Sequence, residues 1–202
     1  MRVVIPETPL GAGPAGQDEA HRSSSGPVDA SIAAAPLHVL RFLAAALRAK
    51  AVVEVGTGSG GSALHLLGGM VPDGVLTSID VDQMAQREVR EALREAGEPA
   101  SRTRLIAGRP VEVLPRLAEG AYDMVVVASA TTDHATYLAL GTRLLRPGGV
   151  IVFAGVRPDA DRDQRSATAL SLRELVRVVQ ADEDLIAVTL PVGPGLLAVT
   201  KR

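Results

Sequence analysis

The 202-residue chain has no cysteine and no tryptophan, and only two tyrosines and two phenylalanines. Without cysteine it can form no disulfide, thiolate metal site or cysteine nucleophile, and a reducing, cytoplasmic setting is expected. No apolar run reaches the roughly 20 residues that cross a bilayer; the longest, over residues 39–47, is interrupted by Arg41. The opening Met1-Arg2-Val3-Val4-Ile5 meets Pro6 and Glu7 at once, which is not the pattern of a secretory signal. Only Lys50 and Lys201 are lysines, no basic run stands out, and the formal net charge is −2. Neither a nucleic acid nor a membrane is therefore an expected partner.

The length suits one substantial core and is short for two domains. Residues 1–27 are rich in Gly, Pro, Ser and Ala and read as a disordered tail, leaving 28–202 as a single domain. A helix is expected from Asp29 or Ser31, broken or restarted at Pro36, with Leu37, Leu40, Leu43, Ala44 and Leu47 at helical spacing. From Ala51 the pattern alternates. Strands are expected at 51–55, 75–80, 103–107, 122–128 and 150–154. Helices are expected at 61–70, 84–96, 111–117 and 134–145, and again around Leu172, Leu175, Val176 and Val179. On the 84–96 helix, Ala85, Val89, Leu93 and Ala96 form the expected buried face. A hairpin of 185–190 and 196–200 closes the chain. The class is α/β: a mostly parallel Rossmann-like sheet with an antiparallel C-terminal hairpin and helices on both faces.

The richest stretch is Val52-Val53-Glu54-Val55-Gly56-Thr57-Gly58-Ser59-Gly60-Gly61-Ser62, a strand that enters a glycine turn and then a helix. Glycines let backbone N–H groups approach a ligand, and the helix start favours an anionic group. One helix and one strand later, Asp80 ends Thr77-Ser78-Ile79-Asp80, where a carboxylate can take two ribose hydroxyls. Gly56, Gly58 and Gly61 also satisfy the dinucleotide spacing G-x-G-x-x-G. Glu54 argues against NAD. A pyrophosphate has no use for a carboxylate two residues before the first glycine, whereas an ammonium group does. With Ser62 available for a carboxylate, the set fits S-adenosylmethionine.

In these stretches, and in Tyr122–Val127, Leu144–Val152 and Leu190–Leu197, the chain resembles the catechol and caffeoyl-coenzyme-A type of S-adenosylmethionine-dependent O-methyltransferase, most closely its small actinobacterial branch. The resemblance runs from about Asp29 to the C-terminus and implies a class I methyltransferase fold. It implies that Glu54 faces the amino end of the methionine moiety, that Gly56 and Thr57 line its path, and that Ser62 holds its carboxylate. It further implies that Asp80 takes the ribose, that Gly108 and Arg109 open the adenine seat, and that Ala34 on the first helix touches the cofactor. Ala128 belongs to the same cofactor set. A small-molecule acceptor and a homodimer are also implied.

The family's cation ligands are missing. Its Asp-Ala-Asp-Lys after strand four reads Ala128-Ser129-Ala130-Thr131 here, and its Asp-Asn after strand five reads Ala154-Gly155. Mg²⁺ requires oxygen ligands, which alanine and glycine side chains cannot supply, so no metal is expected. The acceptor then needs a protein base, and His134, just past strand four, is the candidate; a plain first-turn histidine behind an Asp133 cap is the other reading. His38 on the first helix is a second, weaker candidate, His65 reads as packing and His21 lies in the tail, while Asp159, Asp161 and Asp163 read as a charged solvated loop in preference to a displaced metal site. The expected function is S-adenosylmethionine-dependent methylation of a small-molecule hydroxyl without a divalent cation. The alternative is a non-catalytic binder of S-adenosylmethionine or S-adenosylhomocysteine. An NAD-dependent reductase is disfavoured by Glu54 and by the lack of a Tyr-x-x-x-Lys pair.

Overall fold

The computed structural model describes residues 27–128, 131–156 and 166–202. Its strands are β1 (Ala51–Val55), β2 (Val75–Asp80), β3 (Thr103–Ala107), β4 (Tyr122–Val127), β5 (Leu145–Ala154), β6 (Leu185–Leu190) and β7 (Leu196–Lys201). The helices are α1 (Pro27–Ala46), α2 (Gly61–Gly69), α3 (Gln83–Glu95), α4 (Pro110–Val113), α5 (His134–Leu144) and α6 (Ala167–Ala181). One sheet takes them in the order β3-β2-β1-β4-β5-β7-β6. The first five strands are parallel, and β7 runs antiparallel between β5 and β6. The class I methyltransferase architecture expected from the sequence is the one observed.

The strand order reverses between β1 and β4, which opens a crevice at their carboxyl ends. Both strands are buried on both faces, as runs of Val and Met require in a parallel sheet. Strand alternation sends Val53, Val55, Val125, Ile151 and Phe153 into the core shared with α5 and α6. It sends Val52, Met124, Val126 and Val152 into the core beneath α1, α2 and α3. Glu54 has the parity of Val52 and so faces the α2 side.

Pro36 neither breaks nor restarts α1, which is one continuous helix. A proline there forfeits one helical hydrogen bond. Tertiary packing offsets that loss: α1 lies so close on α2 that a Cβ on Gly69 would stand 2.2 Å from the Arg41 carbonyl oxygen. The proline ring itself meets the β6–β7 turn, where a Cβ on Gly193 would be 2.7 Å from Pro36 Cγ. The expected inward face of α3 also needs correction. Ala96 is exposed, and Gln86 is buried with Val89 and Leu93.

Candidate active site

The glycine turn after β1 is shaped by left-handed backbone at Gly56 (φ 89°), Gly58 (φ 52°) and Gly60 (φ 83°). Such angles strain any residue with a Cβ, and at Gly58 the position a Cβ would take is open space. Asp80, at the end of β2, holds this turn in place. One carboxylate oxygen accepts the Thr57 N–H at 2.8 Å and the other accepts the Asp82 N–H at 2.9 Å. Each oxygen keeps a lone pair for a further donor.

A network runs beneath the turn. Glu54 is wholly buried, its Oε2 accepts from the Ser78 hydroxyl at 2.6 Å, and its Oε1 accepts from the Ser62 hydroxyl. Burial pushes the Glu54 carboxyl up to about 7; the Ser62 and Ser78 hydrogen bonds pull it down, and nearby Asp80 adds to the rise. Thr57 Oγ1 lies 2.8 Å from Ser78 Oγ and accepts from Gln86 Nε2 at 3.0 Å. Ser78 and Gln86 were not singled out from the sequence. Gln86 lies three residues before Val89, and that helical spacing was the available signal.

Three cavities follow one another along the carboxyl edge of the sheet. The first, about 360 Å³, is bounded by Leu37, the turn from Gly56 to Gly61, Ser62, Asp80 and Ala128. The second, about 200 Å³, shares Gly56 and Asp80 with it and adds Val81, Pro110, Thr131 and Tyr137. The third, about 280 Å³, shares Ala128 with the first and Thr131 with the second. Its other walls are His134, Ala154, Gly155, Thr168, Leu172 and Pro194.

Gly56, Thr57, Ser62, Asp80 and Ala128 are thus brought together around one cleft. Glu54 stands behind it, bonded to Ser62, and is not part of its wall. Gly108 donates its N–H to the Asp80 carbonyl at 2.8 Å, but the wall beside Asp80 is Val81 and Pro110. Arg109 is exposed and paired with Glu112. From α1 it is Leu37 that lines the cleft; the side chain of Ala34 lies outside the described residues. Ser129, Ala130, His21 and the Asp159–Asp163 loop also lie outside them.

His134 is not the partly exposed residue of a plain first turn: it is 3% exposed, with its ring 6.1 Å from that of Phe153. Asp133 precedes α5 without a side-chain capping bond. Burial lowers the His134 pKa, and the charge of Asp133 partly opposes that. The other two described histidines have different settings. His65 Nδ1 lies 2.9 Å from the Gly61 carbonyl oxygen within α2, and exposed His38 has its ring 5.4 Å from that of His65. Among the described residues, the third cavity, where the resemblance would put a cation, has no carboxylate in its wall, and the donors those residues offer do not fit a divalent metal.

Residues 21–202 match the O-methyltransferase family model. The chain is 44% identical over 190 residues to a candidate O-methyltransferase of Mycobacteroides abscessus, covering 93% of this chain and 86% of that one. A Corynebacterium glutamicum protein of known structure superposes with a TM-score of 0.76 at 28% identity, covering 88% of this chain and 92% of that one. The O-methyltransferase TomG of Streptomyces achromogenes, involved in tomaymycin synthesis and solved with S-adenosylmethionine, has a TM-score of 0.76 at 27% identity. That match covers 83% of this chain and 80% of TomG. With the family matched over nearly the whole chain and the glycine turn, Asp80 and their cleft in place, the chain belongs to the S-adenosylmethionine-dependent O-methyltransferase family.

Proposed function

We propose that this methyltransferase acts on a compact, uncharged small molecule, accepts its hydroxyl proton on His134, and works without a divalent cation. The observation that carries the reading is the continuity of the three cavities through Gly56, Asp80, Ala128 and Thr131. The first two have room and donors for an adenosyl group and its amino-acid arm, within the size range of ligand sites. The third borders the point where the arm would end.

Bound S-adenosylmethionine supplies an electrophilic methyl group. The rest is done by the chain. Asp80 uses its remaining lone pairs for the two ribose hydroxyls. The Gly56–Gly60 turn lets the ligand approach backbone closely. Ser62, backed by Glu54, faces the amino-acid arm. Val81 and Pro110 flank the base, taking the place expected of Gly108 and Arg109. His134, kept neutral at pH 7 by burial, can accept a proton in a cavity walled mainly by Ala128, Ala154, Gly155, Leu172 and Pro194. Those walls suit an apolar acceptor, and His134 is the one ionisable side chain among the described residues that line them.

Calorimetry with S-adenosylhomocysteine and NAD tests the assignment. The expected result is saturable binding of the first and none of the second; tighter binding of NAD would overturn it. We also propose a cytoplasmic homodimer. Phe42 on α1 is 68% exposed, and Ile186 and Val188 on edge strand β6 are each 52% exposed, all apolar surface a partner copy could cover. Sedimentation equilibrium giving the mass of a single chain would refute the dimer.

A further inference from the structure

Ser171, on α6, makes two hydrogen bonds that together leave one arrangement of protons. Its Oγ lies 2.6 Å from the Thr132 carbonyl oxygen and 2.8 Å from His134 Nδ1. The carbonyl can only accept, so the single Ser171 hydroxyl proton goes to Thr132. Ser171 Oγ is then an acceptor toward His134, and the bond to Nδ1 requires the imidazole proton to sit on Nδ1. Among the described residues nothing bonds Nε2, and Nε2 is not one of the buried polar atoms left without a partner. Nε2 therefore keeps some accessible surface, and His134 is one of the residues that line the cavity with Ala128, Ala154 and Gly155.

We propose that Ser171 is a positioning residue: through Thr132 it fixes His134 in the Nδ1–H tautomer, which turns the Nε2 lone pair toward the acceptor cavity. This rests on the reading of His134 as the proton acceptor. The chemistry then balances. The acceptor hydroxyl gives its proton to Nε2 while its oxygen forms the new C–O bond. The C–S bond breaks with its electron pair going to sulfur, and the imidazolium later releases the proton to water. A ring held in the opposite tautomer would present N–H to the acceptor and could not take that proton. The link spans three elements: the segment before α5, α5 itself and α6. The helix after β5 thereby controls a group beside β4.

Nitrogen-15 NMR of the full-length protein at about pH 8, above the ordinary imidazole range, reads the tautomer directly, with His134→Asn assigning the signal. In the wild type, Nδ1 is expected as the protonated, pyrrole-type nitrogen and Nε2 as the pyridine-type one. Ser171→Thr keeps the hydroxyl and should keep that pattern. Ser171→Ala, a change favourable to a helix, should shift Nε2 toward the pyrrole-type position as the proton redistributes. A wild-type spectrum with the proton on Nε2, or a Ser171→Ala spectrum identical to wild type, overturns the proposal. The wild-type measurement decides even if a variant fails to fold. Failure of S-adenosylhomocysteine to bind would instead overturn the functional reading and leave the tautomer result standing.

Discussion

Replacing Asp80 is the sharpest test of the cleft, because one side chain has two separable tasks. Its oxygens accept the Thr57 and Asp82 N–H groups at 2.8 and 2.9 Å, and these bonds pin a turn in which Gly56, Gly58 and Gly60 take left-handed angles. A hydrogen bond to a charged group contributes roughly 1.5–3 kcal/mol when fully buried. Asp80 is only half-buried, so water can replace part of each bond and the folding cost of Asp80→Ala is expected near 1–3 kcal/mol in total. For the ligand, losing the partner of two ribose hydroxyls is worth a similar 1–3 kcal/mol, a roughly 5- to 150-fold weaker Kd. Asp80→Asn is not a silent control. Both oxygens already accept from N–H groups, so the amide must turn its NH₂ against one donor. It too should lose affinity and stability. The assay is calorimetry with S-adenosylhomocysteine at a temperature where thermal melting shows each variant folded. A Kd within twofold of wild type for folded Asp80→Ala would refute the placement of the ribose.

The buried Glu54 carboxyl, raised to about 7 from 4.5, predicts a definite sign of pH dependence. The folded state holds this proton more tightly than the unfolded chain, so the contribution is full below pH 4.5 and is lost as pH rises through about 7, by up to about 3 kcal/mol. Urea melts at several pH values should show this decline in the wild type and its absence in Glu54→Gln; parallel curves would refute it. Methyl transfer, once an acceptor is found, is expected to survive chelator, because Ala128, Ala154 and Gly155 offer no side-chain oxygen; loss with chelator and recovery with Mg²⁺ would contradict this. A chain starting at Val28 is expected to melt within a few degrees of the full chain, since residues 1–27 carry few large apolar side chains. A collapse in Tm would show that the tail packs.

The sequence by itself determined the order of strands and helices, the glycine turn, Asp80 and the family. Each is carried by local chemistry: apolar runs of strand length, glycines where only left-handed angles fit, and a carboxylate at a strand end. Propensity misjudged Pro36, because a helix laid tightly on α2 and the β6–β7 turn can absorb a lost backbone bond. The polar network was also illegible. Ser78, Gln86 and Ser171 are ordinary polar residues along the chain and gain a role only from partners 24, 29 and 37 residues away. Likewise Ser62 and Glu54 could each be assigned to a ligand from sequence, but only the fold decided that they meet each other. A hydrogen bond is specified to a few tenths of an ångström, and distances of that kind between distant residues are set by packing of the whole sheet and its helices, not by any stretch of sequence.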